Sequence, residues 1–105
     1  MQHVDWNDLR YVLALARGAS YAAAGQWLAV DATTVARRLR TVEAALEVRL
    51  FERGADGRMF PTQAGEVAAK RAETMEAEAG RLVEAVKGAD AFASGTVRVT
   101  AVPIL

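Results

Sequence analysis

The chain has 105 residues, enough for one small domain with a modest core, and its 13 basic and 13 acidic residues leave no net charge at pH 7. It has no cysteine and a single histidine, His3, which excludes a disulfide framework and thiol chemistry and argues against a histidine metal site. Hydrophobic residues make up 52%, but 23 residues are alanine, so the composition describes closely packed helices more than a large core.

The N-terminus lacks a basic flank followed by an apolar run, so it does not read as a signal peptide, and no apolar stretch approaches membrane-spanning length. The expectation is a soluble cytoplasmic protein with no membrane partner. Asp5 is placed to cap a first helix that carries Trp6, Leu9, Leu13 and Ala16 on one face and stops at Gly18. Ser20 caps a short second helix from Tyr21 to Leu28. After a tight connection at Ala29 and Val30, Asp31 caps a third helix, in which Val35, Leu39, Val42 and Leu46 form an apolar stripe.

Beyond Leu46 the period changes. Val48 and Leu50, running towards Phe51, suggest a short strand. Gly54-Ala55-Asp56-Gly57 is a turn signal, and Arg58-Met59-Phe60 returns as a second strand ended by Pro61. From Thr62 to about Lys87 runs one long helical pattern. Within it Ala68, Ala72, Met75, Ala79, Leu82 and Val86 alternate steps of four and three, which is heptad spacing. Three helices and a hairpin cannot cover such a helix, so, although the part near Gly65 and Ala68 must pack on its own domain, the remainder needs a partner; these six residues are the expected dimerisation seam. Gly88 to Gly95 reads as a linker, and Thr96 to Val102 as a strand with nothing to pair with, as though a second domain should begin there.

Ser20-Tyr21, Ala24, Leu28, Val30, Val35, Arg37, Leu39, Glu43 and Leu46, then Val48-Arg49-Leu50-Phe51-Glu52-Arg53, then Thr62-Gln63-Ala64-Gly65, together resemble the N-terminal domain of LysR-type transcriptional regulators. The resemblance covers about residues 5 to 87. It implies a mainly α fold: a winged helix-turn-helix of three helices and a two-stranded wing (1–61), a linker and dimerisation helix (62–87), and a hinge with the first strand of an effector-binding domain (88–105). It also implies binding of dyad-symmetric, double-stranded promoter DNA as dimers or tetramers, with linker helices paired antiparallel. No cofactor is expected in this chain; a small-molecule effector would bind the C-terminal domain, which is missing here. The long heptad helix after the wing favours this family over other winged-helix binders.

This order of elements assigns roles to the basic cluster. Arg37, Arg38 and Arg40 lie within four positions, and Arg49, Arg53 and Arg58 follow, whereas Glu66, Glu73, Glu76, Glu78 and Glu84 come later. With the aliphatic stripe facing the core, Thr33, Ala36, Arg37 and Arg40 face away, and Ala32 and Thr34 add to the N-terminal turn that would enter the major groove. Arg37 is suited to a bidentate contact with guanine, and Thr33 and Thr34 to thymine methyls or phosphate. Arg38, nearer the edge of that face, suits phosphate or a neighbouring acid better than a base. Ser20 would cap its helix and present that N-terminus to a phosphate, while Tyr21 and Trp27 either flank a phosphate or are partly buried. Arg53 and Arg58, bracketing the hairpin tip, would reach backbone or minor groove. The bland alternative is a solvated face whose arginines pair with Asp31 or Glu43.

The chain departs from the family pattern at several positions. Glu47 stands where glycine is usual, Gly25 for alanine, and Pro61 for leucine. At the reading end Ala32, Thr33 and Ala36 replace glutamine, proline and serine. A left-handed backbone at Glu47 would be strained. No phosphate loop, nucleophile or carboxylate pair supports an enzyme. Zero net charge and the alanines at reading positions are what would support an interaction module that has lost DNA binding.

Overall fold

The computed structural model describes residues 3–94, in the order α1 (Trp6–Gly18), α2 (Tyr21–Leu28), α3 (Ala32–Leu46), β1 (Phe51–Arg53), β2 (Met59–Pro61) and α4 (Gln63–Ser94). The strand expected over Thr96 to Val102 lies outside these residues. Among the described residues no helix is long and apolar enough to cross a membrane, and no three metal-ligating side chains come together.

All three expected caps are present. The Asp5 carboxylate accepts the Asp8 N–H at 2.9 Å and the Asp8 carboxylate accepts the Asp5 N–H at 3.3 Å, a reciprocal box at the start of α1. Ser20 Oγ accepts the Ala23 N–H at 3.0 Å, and Asp31 accepts the Thr34 N–H at 2.7 Å. Each such bond satisfies one of the four amides that a helix start leaves unpaired. The first two helices end where expected, at Gly18 and Leu28, and the left-handed positions follow them. Ala19, not Gly18, takes the left-handed conformation after α1, Ala29 does so after α2, and Glu47 after α3 at φ 58°. Gly18 serves close packing instead, since a Cβ there would sit 2.9 Å from the Ala23 Cβ.

The core joins α1, α2, α3 and the wing. Val12, Leu15, Val35, Val42, Leu50 and Phe51 are fully buried, with Tyr11, Ala14, Ala24, Leu39 and Met59 around them. Each large apolar side chain so buried contributes about 1.5–3 kcal/mol. The inward face of α1 therefore centres on Tyr11, Val12 and Leu15, not on Trp6 and Leu9, which are only half-buried. Leu46 ends the α3 stripe at 44% exposure, because α3 outruns the core there.

The wing begins later than expected. Val48 is exposed, and pairing starts at Phe51, with Phe51 opposite Pro61, Glu52 opposite Phe60 and Arg53 opposite Met59. Two anchors fix it. The Met59 N–H donates to the Ala19 carbonyl at 2.9 Å, and Glu43 Oε2 accepts the Leu50 and Phe51 N–H groups at 2.7 and 3.3 Å. At the far end Thr62 ties the wing to α4. Its N–H donates to the Leu50 carbonyl at 2.8 Å, its hydroxyl donates to the Arg49 carbonyl at 2.7 Å, and its Oγ1 accepts the Gly65 N–H at 3.1 Å. Gly65 must lack a side chain, since a Cβ would run into the Leu50 carbonyl.

The helix α4 continues through Gly88 to Ser94, where the sequence suggests a linker. A single glycine costs a helix only about 1 kcal/mol, too little to end a long run of alanines. One compact unit ends at Thr74 and a second begins at Met75. In the first, Ala72 is fully buried, and Ala64 and Ala68 pack on the core. In the second, Met75, Leu82, Val83, Val86 and Phe92 are exposed.

Candidate nucleic-acid interface

At about 100° per residue, a helix that buries Val35, Leu39 and Val42 turns residues 33, 37 and 40 outward. Thr33, Arg37 and Arg40 are exposed along one stripe of α3, while Ala32, Thr34 and Ala36 are half-buried beside it. The acids that might have claimed these arginines are committed elsewhere. Glu43 holds the wing amides, with Arg49 Nε 3.9 Å away. Asp31 caps α3; the Thr34 amide, then the Thr34 hydroxyl, then the nearby positive charge of Arg37 hold its carboxyl below the usual 3.8. Neither the Arg37 nor the Arg40 guanidinium has an ion pair or hydrogen bond among the described residues, so both keep their donors for a ligand.

Arg38 differs. Its Nη2 donates to Asp8 Oδ1 at 2.8 Å, and its guanidinium carbon lies 4.9 Å from the centre of the Tyr11 ring. Of the alternatives open from sequence, the structure gives Arg38 the neighbouring acid as its partner. Residue spacing offers no signal for this pairing, which spans 30 positions. Ser20 is half-buried as a cap, Tyr21 packs against the core, and Trp27 is 69% exposed.

The tip of the wing carries the other two arginines. Gly57 is left-handed at φ 86°, and the Gly54 N–H closes the turn on the Arg58 carbonyl at 2.7 Å. Arg53 Nη1 donates to the Gly57 carbonyl at 3.1 Å, which lays its side chain along the turn, and both Arg53 and Arg58 are exposed. Of the expected seam, Met75, Ala79, Leu82 and Val86 are exposed. Ala68 is half-buried against its own unit, as expected for the part of the seam near Gly65, and Ala72 is fully buried there, which corrects Ala72 from a partner contact to a packing residue.

Residues 6–66 match the family model described as bacterial regulatory helix-turn-helix protein, lysR family. The chain belongs to the LysR family. Its members are DNA-binding transcription regulators, not enzymes. The Mau operon transcriptional activator of Paracoccus denitrificans is 42% identical over 60 residues, 57% of this chain; the match spans 21% of that protein. The crystal structure of the CbnR_DBD–DNA complex is 29% identical with a TM-score of 0.74, covering 83% of this chain and 99% of that one. Full-length CbnR complexed with its target DNA is 30% identical with a TM-score of 0.71, covering 80% of this chain and 29% of that one. The LysR segments that are most distinctive in sequence are thus the joints of the fold: Leu50-Phe51 fills the core, and Thr62 to Gly65 locks the wing to α4.

Proposed function

We propose that the chain binds double-stranded, dyad-symmetric promoter DNA as a homodimer. The outward stripe of Thr33, Arg37 and Arg40, with two guanidinium groups that have no partner among the described residues, carries this reading. The N-terminal half of α3 enters the major groove, where Arg37 reads guanine and Ala32, Thr33, Thr34 and Ala36 offer methyls and hydroxyls to thymine or phosphate. Arg53 and Arg58 reach the flanking backbone, and the Ser20 end of α2 faces a phosphate. Similarity to CbnR, which has been crystallised with DNA, supports this placement.

Residues 75–94 span about 30 Å as helix. Their exposed Met75, Ala79, Leu82 and Val86 pair with the same face of a second copy. Two heads on two half-sites raise affinity through effective concentration. Residues up to 61 form the head, and the linker helix α4, which starts at Gln63, extends past the expected 87. An effector bound to a further domain would change the spacing or angle of the heads, a step that rests on family analogy. Selection from random DNA duplexes tests the reading: recovered sites should share two half-sites related by a dyad, and recovery of no enriched sequence would overturn it.

A further inference from the structure

We propose that Arg38 and Asp8 form a latch that sets the angle of the recognition helix, making Arg38 a positioning residue and not a DNA contact. This deepens the DNA-binding reading and rests on it. Around α3, Arg38 lies about 40° from Val42 and 60° from Val35, whereas Arg37 lies about 160° from Val35 and Leu39. Consecutive arginines therefore point in different directions, and the inner one meets α1. Its side chain is only 28% exposed and that of Asp8 only 15%. Asp8 is itself held, because its other oxygen, Oδ2, accepts the Asp5 N–H that closes the cap of α1. The Tyr11 ring lies under the guanidinium, a cation–π contact from the same helix.

The result is a fixed link from the N-terminal turn of α1 to the middle of α3, one residue from Arg37. Apolar packing resists separation of two helices better than rotation of one about its axis. A directional, charge-assisted bond constrains that rotation. The Arg38 Nε–H is buried with no partner among the described residues, a cost that the ion pair and ring contact offset. Rotating α3 would misplace Arg37 and Arg40 on base edges while leaving the total positive charge unchanged, so the latch governs discrimination and not overall attraction.

The test uses the duplex selected by the wild-type protein and a scrambled duplex of the same length. Affinities of wild type, Arg38→Gln, Arg38→Lys, Asp8→Asn and the Arg38→Gln/Asp8→Asn double variant are measured across a salt series, below thermal midpoints recorded alongside. Arg38→Gln and Asp8→Asn should each lower the selected-to-scrambled affinity ratio about tenfold, the size of one imperfect base contact. The salt slope should not change, and the double variant should lose no more than either single one. Arg38→Lys, which keeps the ion pair, should recover most of the ratio. A salt slope reduced by about 0.9 in Arg38→Gln would mark a phosphate contact instead. That result, or an Asp8→Asn protein whose ratio is unchanged or raised, overturns the latch. If the wild type selects no duplex, the DNA-binding reading falls and the latch with it; if it selects one and the variants match it, the latch alone falls.

Discussion

The carboxylate of Glu43 accepts the Leu50 N–H at 2.7 Å, so the last turns of α3 and the entrance to the wing are joined by one side chain. The same oxygen accepts the Phe51 N–H, and these two residues are fully buried in the core. Glu43 is only 14% exposed at its side chain, and a hydrogen bond to a charged group contributes about 1.5–3 kcal/mol. Glu43→Ala should therefore destabilise the head by about 2–3 kcal/mol. Glu43→Gln, which keeps an acceptor, should cost less. Chemical denaturation of the three proteins checks the order.

The backbone at Glu47 is left-handed, where a side chain is strained and glycine is not. Glu47 donates its N–H to the Glu43 carbonyl in that conformation, so the turn itself is needed. Glu47→Gly should raise stability by about 0.5–1 kcal/mol, after allowing for the freer unfolded chain. A lower denaturation midpoint would show that the Glu47 side chain contributes more than its backbone strain costs.

Asp31 makes the α3 cap sensitive to acid. Its carboxyl titrates below 3.8 in the folded head, chiefly because the Thr34 amide donates to it. The unfolded chain therefore takes up this proton first. The stabilisation is fully present above the unfolded value and is lost as pH falls through the lower folded value. Asp5 behaves alike, held down first by the Asp8 amide. Asp31→Asn keeps a cap without the titration, so the gap in thermal midpoint between wild type and variant should close as pH drops through the carboxylate range. A gap constant with pH would contradict this.

Met75 and Leu82 are exposed at 40% and 62% on residues 75–94. If this face pairs with a second copy, Met75→Glu with Leu82→Glu places charges in an apolar seam, and sedimentation should show monomers in place of dimers. Dimers that persist would move the pairing surface elsewhere.

Much of this was legible in the residues. Asp5, Ser20 and Asp31 announce their helices because a cap is a local bond within three positions. The stripe of Val35, Leu39 and Val42 gives the outward direction of Arg37 by rotation alone. What stayed hidden depends on distant partners or on where the core ends. Nothing near Arg38 names Asp8, and Glu43 looks like a partner for arginine until the wing amides are seen against it. Ala72 and Met75 share one heptad pattern, yet only the first reaches the core; periodicity defines a face, not what covers it. Gly88 marks a weak point that neighbouring alanines override, and so the helix outruns its expected end.

The direct test of the account is the affinity of Arg37→Ala for the DNA selected by the wild-type protein. Loss of one bidentate base contact should cost about 1–3 kcal/mol, roughly 5- to 150-fold. It should relax preference at one base pair in each half-site and leave the thermal midpoint unchanged, since Arg37 is exposed. Equal affinity and an identical footprint would contradict the assignment of α3 as the reading helix.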